Sequence, residues 1–141
     1  ITQYQQAIQL DPSLAEAHYN LGVALYQQEQ TQEALVAFGR AVQLNPSNAH
    51  AFYNLGLVLY QQERFPEAIA AYGRAIQINP SNANAYYNLG LALERQGRLD
   101  EATAAYQQAV RLNPRFVVAR NSLGNVLAKQ NQVEAAIVAY R

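Results

Sequence analysis

The sequence predicts an all-α protein built from helical hairpins that repeat along the chain and stack side by side as a solenoid. Prolines recur every 34 residues, at Pro12, Pro46, Pro80 and Pro114. Glycines recur with the same period, at Gly22, Gly56, Gly90 and Gly124. Proline and glycine are unfavourable inside helices, and their recurrence with one shared period is typical of a helical repeat array.

The blocks that this period defines are closely similar to one another. Residues 15–48 and 49–82 are identical at 22 of 34 positions. A third full block covers residues 83–116, whereas residues 1–14 match the end of a block and residues 117–141 match its start. We therefore expect one array over residues 1–141. Methionine is absent, even at position one, so we expect the sequence to be a piece of a longer protein.

Each block is predicted to form two helices joined by a polar turn. On the first helix one face carries His18, Leu21, Gly22 and Leu25, and on the second the same spacing joins Ala34, Phe38, Ala41 and Val42. After the second helix, Asn45-Pro46-Ser47-Asn48 supplies a proline stop and a cap for the next helix. A single hairpin cannot bury its apolar faces alone, so neighbouring hairpins must stack. The recurring glycine allows two helices to approach closely.

Composition excludes several classes of function. Ten basic residues balance ten acidic ones, so no overall field favours nucleic acid. The longest apolar runs are far shorter than the roughly 20 residues that a membrane-spanning helix needs, and we expect no membrane insertion. There is no cysteine, there are only two histidines, and no glycine-rich phosphate loop is present. We therefore expect no enzyme activity, no metal site and no cofactor within these residues.

The blocks resemble the tetratricopeptide repeat (TPR) family over the whole chain. The resemblance is carried by the 34-residue period, by Tyr-Asn-Leu-Gly at 19–22, 53–56 and 87–90, and by the Asn-Pro turns. Two departures are His18 and Phe52, which stand where the family often has tryptophan, and a third is Asn121-Ser122 in the fourth block. The resemblance implies a right-handed superhelix whose first helices line a concave groove, and this groove holds peptide segments of partner proteins.

Helical geometry independently leaves one face of each first helix free, opposite the face that packs. We call this free surface the groove face. Its members are Glu16, Asn20, Val23 and Gln27 in the first block, His50, Asn54, Leu57 and Gln61 in the second, Asn84, Asn88, Leu91 and Arg95 in the third, and Val118, Ser122, Asn125 and Lys129 in the fourth. Tyr19, Tyr26, Tyr53, Tyr60 and Tyr87 flank this face. Asparagine can pair with both the N–H and the C=O of a peptide backbone, and the apolar row would receive side chains. We predict that the groove face binds an extended, weakly charged peptide.

Other interpretations of the same residues stay open at this stage. The asparagines could hold the helix surface or its waters without any ligand. Their row also resembles the asparagine ladder in the repeat arrays of O-linked N-acetylglucosamine transferases, which would make the chain the recognition arm of a larger enzyme such as a glycosyltransferase. Residues 1–70 carry a net charge of −4 and residues 71–141 a net charge of +4. This asymmetry, with an apolar and unfinished last helix, suggests head-to-tail self-association through uncapped termini.

Overall fold

The computed structural model describes all 141 residues, which form nine α-helices and no strand. Two compact units divide the chain, Ile1–Ile78 and Asn79–Arg141. The first contains α1 (Thr2–Leu10), α2 (Ala15–Gln27), α3 (Thr31–Leu44), α4 (Ala49–Gln61) and α5 (Phe65–Ile78). The second contains α6 (Ala83–Arg95), α7 (Leu99–Leu112), α8 (Val117–Lys129) and α9 (Val133–Tyr140). The prediction of an all-α fold made of helical hairpins is confirmed.

The block junctions begin two of the first helices with asparagine caps. Asn48 Oδ1 accepts a hydrogen bond from Ala51 N at 3.0 Å, and Asn82 Oδ1 accepts one from Ala85 N at 3.1 Å. Each satisfies a backbone N–H that has no partner inside the helix. Leu14 and Phe116 stand at the corresponding positions before α2 and α8, and neither supplies a side-chain cap.

The turn inside each hairpin places one residue in the left-handed region of backbone conformation. The four residues are Glu29 (φ 60°), Glu63 (φ 58°), Gly97 (φ 72°) and Asn131 (φ 59°). Only glycine adopts this conformation without steric cost, and asparagine tolerates it better than glutamate does. Four residues that differ in how well they tolerate this conformation therefore occupy the same place in the turn. In every block the turn lies in the polar stretch between the two helices.

Each hairpin closes where an aromatic ring of the second helix lies against the glycine of the first helix. A Cβ atom built on Gly56 would lie 2.6 Å from Cε1 of Tyr72, and one built on Gly22 would lie 2.7 Å from the ring of Phe38. Real Cβ atoms do not approach other atoms so closely, so the ring occupies space that only glycine leaves. Phe38 and Tyr72 are fully buried.

Alanines complete the core on the second helices. Ala34 and Ala41 on α3 are fully buried, and so are Ala68 on α5 and Ala102 on α7. Small side chains at these places let the two helices of a hairpin lie close together. In the first unit the hairpin α2–α3 then packs through α3 on α4, and α2 also contacts α4. In the second unit α7 packs on α8 in the same way.

Two glycines inside second helices have no packing role, and replacing them should stabilise the protein. No atom lies within 4 Å of a Cβ built on Gly39 or Gly73. Alanine is favoured over glycine in a helix interior by about 1 kcal/mol, so Gly39→Ala and Gly73→Ala should each raise the free energy of unfolding by about that amount. Urea denaturation followed by circular dichroism measures the change.

Gly56→Ala is the matched control for this experiment. Because its methyl group would collide with the buried ring of Tyr72, the same substitution should lower the free energy of unfolding by about 1–3 kcal/mol. Equal effects at positions 56 and 73 would contradict the assignment of different roles to the two glycines.

Candidate functional site

The groove face of the first unit is formed by α2 and α4, which contact each other directly. Asn20 and Val23 on α2 are half-buried, and so are Asn54 and Leu57 on α4. Gln27 and Gln61 are exposed at the ends of the same two helices. The two helices thus present a polar row beside an apolar row, as their matching positions in the 34-residue period require.

The two asparagines of this face differ in their surroundings. Asn54 Nδ2 donates a hydrogen bond to the hydroxyl of Tyr19 at 3.4 Å. This distance lies beyond the usual range for a strong hydrogen bond, so the contact orients Asn54 without using much of its binding capacity. Asn20 has no side-chain hydrogen bond with any protein group. Both amides can therefore pair with an incoming backbone.

Tyrosines of the second helices extend their hydroxyls toward the groove face, because their rings lie against the glycine of the first helix. In the second unit Tyr106 donates a hydrogen bond from its hydroxyl to Glu94 Oε2 at 2.9 Å. Tyr140 donates one to Asn125 Oδ1 at 2.6 Å. Asn125 stands at the block position of Val23, Leu57 and Leu91, and Glu94 at that of Tyr26 and Tyr60. The hydroxyl of each second-helix tyrosine in this unit thus donates to an oxygen acceptor on the groove face or at its edge.

Tyr72 in the first unit lacks such an acceptor. Its side chain is fully buried, and its hydroxyl has no hydrogen-bond partner. The ring of Tyr53 packs against it at 6.0 Å between centroids. Burial raises the pKa of the Tyr72 hydroxyl far above its ordinary value, and the neighbouring phenols of Tyr53, Tyr26 and Tyr60 raise this pKa further. The hydroxyl is therefore a neutral donor held among other phenols.

Besides Arg95, a cross-helix ion pair brings charge to the groove face of the second unit. Lys129 Nζ on α8 lies 2.5 Å from Glu94 Oε1 on α6. Glu94 is the more sheltered partner, with 21% of its side chain exposed against 57% for Lys129. The carboxylate is thereby held by the lysine on one oxygen and by Tyr106 on the other. The corresponding places in the first unit hold tyrosines and glutamines, so its groove face has no such pair.

The histidines and the remaining ionisable groups take surface or structural positions. His18 Nε2 lies 3.0 Å from the backbone oxygen of Pro12, which ties the start of α2 to the preceding turn. No group of three histidine, aspartate or glutamate side chains could hold a metal ion. Arg64 lowers the pKa of Glu67 through a hydrogen bond between exposed side chains. None of the helices is both long enough and apolar enough to cross a bilayer.

A family model matches the whole chain, residues 1–141, and its description is "Cilia and flagella-associated protein 70 C-terminal domain", a TPR domain. The chain belongs to this TPR family. No curated protein sequence matches it significantly. The predictions of the TPR family and of the TPR fold are confirmed.

Solved TPR structures superpose closely on this chain. MamA superposes with a TM-score of 0.94 and 28% identity, over 97% of this chain and 80% of that one. YrrB, described as a TPR protein with an unusual peptide-binding site, has a TM-score of 0.87 and 29% identity, over 96% of this chain and 70% of that one. The first TPR of Spaghetti (RPAP3), solved with the HSP90 peptide SRMEEVD, has a TM-score of 0.80 and 22% identity, over 83% and 93%. The fold is that of a protein-interaction scaffold.

The structure places the predicted site residues of this TPR chain in two separate sets. In the first unit Tyr19, Asn20, Val23 and Gln27 lie on α2, and Tyr53, Asn54, Leu57 and Gln61 lie on α4, which contacts α2. In the second unit α6 carries Tyr87, Asn88, Leu91 and Arg95. The ring of Tyr87 contacts the rings of Tyr106 and Phe116, with 5.8 and 5.1 Å between ring centroids. Peptide binding by these residues and the likeness to an asparagine ladder stay predictions.

The sequence pattern does not predict that tyrosines of the second helices reach the groove face. One block position holds Phe38 in the first block and Tyr72, Tyr106 and Tyr140 in the next three. This difference between phenylalanine and tyrosine is visible in the sequence. Helical periodicity places this position on the packed face of the second helix and therefore assigns it to the core. It does not reveal that the hydroxyl passes beyond the core and ends among groove-face side chains.

Removing the Tyr72 hydroxyl should stabilise the protein. Because a buried hydroxyl without a partner carries a desolvation cost, we expect Tyr72→Phe to raise the free energy of unfolding by about 1 kcal/mol. Unfolded tyrosine ionises near its ordinary pKa of 10.0, whereas folded Tyr72 stays neutral to higher pH. The unfolded state therefore binds fewer protons above that pH, and stability falls as pH rises. Tyr72→Phe should reduce this alkaline loss, measured by thermal unfolding at a series of pH values.

Tyr106→Phe serves as the comparison, because that hydroxyl is bonded to Glu94. Its loss should lower the free energy of unfolding by about 1 kcal/mol. A stability loss of equal size in Tyr72→Phe would show that the Tyr72 hydroxyl has a protein partner in solution.

Proposed function

We propose that this chain binds an extended, weakly charged peptide segment of a partner protein on the groove face of its first unit. The observation that carries the proposal is the pairing of the half-buried Asn20 and Asn54 with the apolar Val23 and Leu57 on two helices in contact. The peptide-binding site named in the description of YrrB, at 29% identity, supports it.

The asparagine row and the apolar row of the groove face make different contacts with the peptide. A backbone amide and carbonyl of the peptide can pair with one asparagine side chain, and this pairing does not depend on the sequence of the peptide. Helices packed about 10 Å apart would present asparagines at about every third residue of an extended strand. Val23 and Leu57 then contact peptide side chains, and Tyr19 and Tyr53 add apolar area at low conformational cost.

The expected preference for a weakly charged peptide follows from the side chains present. On the groove face of the first unit the ionisable groups at its edge are Glu16 and His50, both exposed. Gln27 and Gln61, at the ends of the two helices, carry no charge. The peptide therefore meets neither a basic cluster for a carboxylate nor an acidic cluster for lysine. In the second unit Asn88, Leu91, Tyr87 and Arg95 would provide the corresponding contacts.

The experiment is a peptide-library selection on the wild-type chain, followed by titration of the selected peptide with an Asn20→Ala/Asn54→Ala variant. We expect affinity to fall at least about tenfold, which corresponds to about 1.4 kcal/mol, with helicity unchanged by circular dichroism. Fluorescence anisotropy of the labelled peptide measures the affinity.

A Gln43→Ala/Gln77→Ala variant is the matched control. It also removes two amide side chains from the first unit, but from exposed places on α3 and α5, where the glutamines contact Arg40 and Arg74. Its affinity should equal that of the wild type. Unchanged affinity in the asparagine variant would contradict the proposal that Asn20 and Asn54 bind the peptide backbone.

A second candidate function is head-to-tail association of copies of the chain. Val133, Ile137 and Val138 on α9 are 61%, 47% and 71% exposed, and such a group of apolar side chains favours a protein contact. The first unit carries three basic and six acidic residues, a net charge of −3, and the second carries seven basic and four acidic residues, a net charge of +3.

Sedimentation velocity at rising protein concentration tests this association. A shift to larger species that Val138→Glu suppresses, and that weakens in high salt, is the expected result. A single monomeric species at every concentration excludes it. The recognition arm of a larger enzyme, the lack of catalysis within these residues and the lack of nucleic-acid binding stay predictions.

A further inference from the structure

The side chain of Tyr72 poses a problem that the proposed function leaves unexplained. It is fully buried, yet its hydroxyl contacts no acceptor. Phenylalanine fills the same place in the first block, where Phe38 packs against Gly22. The core therefore accepts a ring without a hydroxyl, and packing alone does not account for tyrosine at this position.

The second unit shows what a hydroxyl at this position contacts. Tyr106 donates to the carboxylate of Glu94, and Tyr140 donates to the amide oxygen of Asn125. Both acceptors are side-chain oxygens, one at a groove-face position and one at a position that flanks the groove face. In the block of Tyr72 these two positions hold Tyr60 and Leu57. Leu57 has no acceptor, and the hydroxyl of Tyr60 is not bonded to Tyr72. The chain itself thus supplies the acceptor in two blocks and leaves it out in one.

We propose that the hydroxyl of Tyr72 is a hydrogen-bond donor of the peptide site in the first unit, and that it recognises the side-chain oxygen of an asparagine or glutamine in the bound peptide. The inference rests on the proposed function, because it assigns a specificity to the same groove face. The amide enters between Tyr26 and Tyr60, which occupy the same position on the neighbouring helices α2 and α4, and it replaces the acceptor that Glu94 or Asn125 provides in the second unit.

A neutral amide fits this place better than a carboxylate. Glu94 is tolerated in the second unit because Lys129 lies 2.5 Å from it. The first unit has Gln27 and Gln61 at the block position of Lys129, so no lysine or arginine stands there to balance a buried negative charge. Burying an unpaired carboxylate costs more than burying an amide. The amide also brings N–H donors, which the phenol oxygens of Tyr26 and Tyr60 can accept.

We expect access to the Tyr72 hydroxyl to require movement of side chains only. The Tyr72 hydroxyl is covered in the free protein, whereas Tyr26 and Tyr60 are half-buried and lie at the groove face. Tyr60 packs edge-on against Phe65, with 5.4 Å between ring centroids. Rotation of a half-exposed ring about χ1 is fast compared with peptide binding. The hydroxyl is therefore reachable without unfolding a helix.

The test uses three synthetic peptide pools of about ten residues, long enough to extend over about 33 Å. All three share an alanine and valine background, and their varied positions carry asparagine and glutamine, aspartate and glutamate, or leucine. The wild-type chain should bind the amide pool about fivefold more tightly than the other two. Tyr72→Phe should abolish this preference and leave the binding of the leucine pool unchanged. One hydrogen bond accounts for an effect of this size.

Two further variants separate recognition from a structural effect. Tyr106→Phe removes a hydroxyl that Glu94 already accepts, so the amide preference should persist. Leu57→Asn places an internal acceptor where Asn125 stands in the fourth block, so it should raise the melting temperature and reduce the amide preference. A merely structural role for Tyr72 predicts a change of melting temperature with no change of preference.

Each outcome of the experiment decides between the two proposals. If Tyr72→Phe retains the amide preference, the role of Tyr72 is overturned and peptide binding stands. If the acidic pool binds best, the assignment to an amide is overturned. If Tyr72→Phe weakens all three pools equally, the acceptor is a backbone carbonyl, and the side-chain assignment fails. Lack of binding by every pool overturns the proposed function, and this inference with it.

Discussion

The contact between a glycine on the first helix and an aromatic ring on the second controls the structure of each hairpin. At Gly56 the ring of Tyr72 occupies the space that any side chain would need. The first helix must therefore turn its glycine face toward the second helix, and this fixes its rotation about its own axis. The opposite face, with Asn54 and Leu57, is left without a partner in the hairpin. The groove face is a consequence of how the core is closed.

The same contact couples the core to the groove face. A ring that lies against this glycine places its hydroxyl beside residues that follow the glycine on the first helix, at the groove face or its edge. Tyr106 and Tyr140 end on Glu94 and Asn125 in this way. Phenylalanine at the same position closes the core and contributes nothing to that face, as Phe38 does. One core position therefore adjusts the polarity of the groove face without changing the helix packing.

The sequence alone could predict the fold because its signals are periodic and local. A 34-residue period, helical spacing and the Asn-Pro turns require only chain geometry, and Asn48 and Asn82 cap their helices as the sequence suggests. The composition of the groove face could be predicted for the same reason. The contacts of Glu94 could not, because Lys129 is 35 residues away and Tyr106 is 12 residues away on another helix. Such contacts depend on side-chain length and direction across helices.

Because the repeats are similar, the positions at which they differ are informative. Selection for packing explains the glycines, the alanines and the rings, since each recurs in place and the rings of Phe38, Tyr72 and Tyr106 are fully buried. It does not explain a buried hydroxyl that has no acceptor, because such a group costs stability that phenylalanine would restore. Binding surfaces are where proteins retain groups that reduce stability. Tyr72 lies between the core and the groove face, with its ring in the core and its hydroxyl near the phenols of Tyr26, Tyr53 and Tyr60. The cost is understood if the hydroxyl is bonded only when a partner is present.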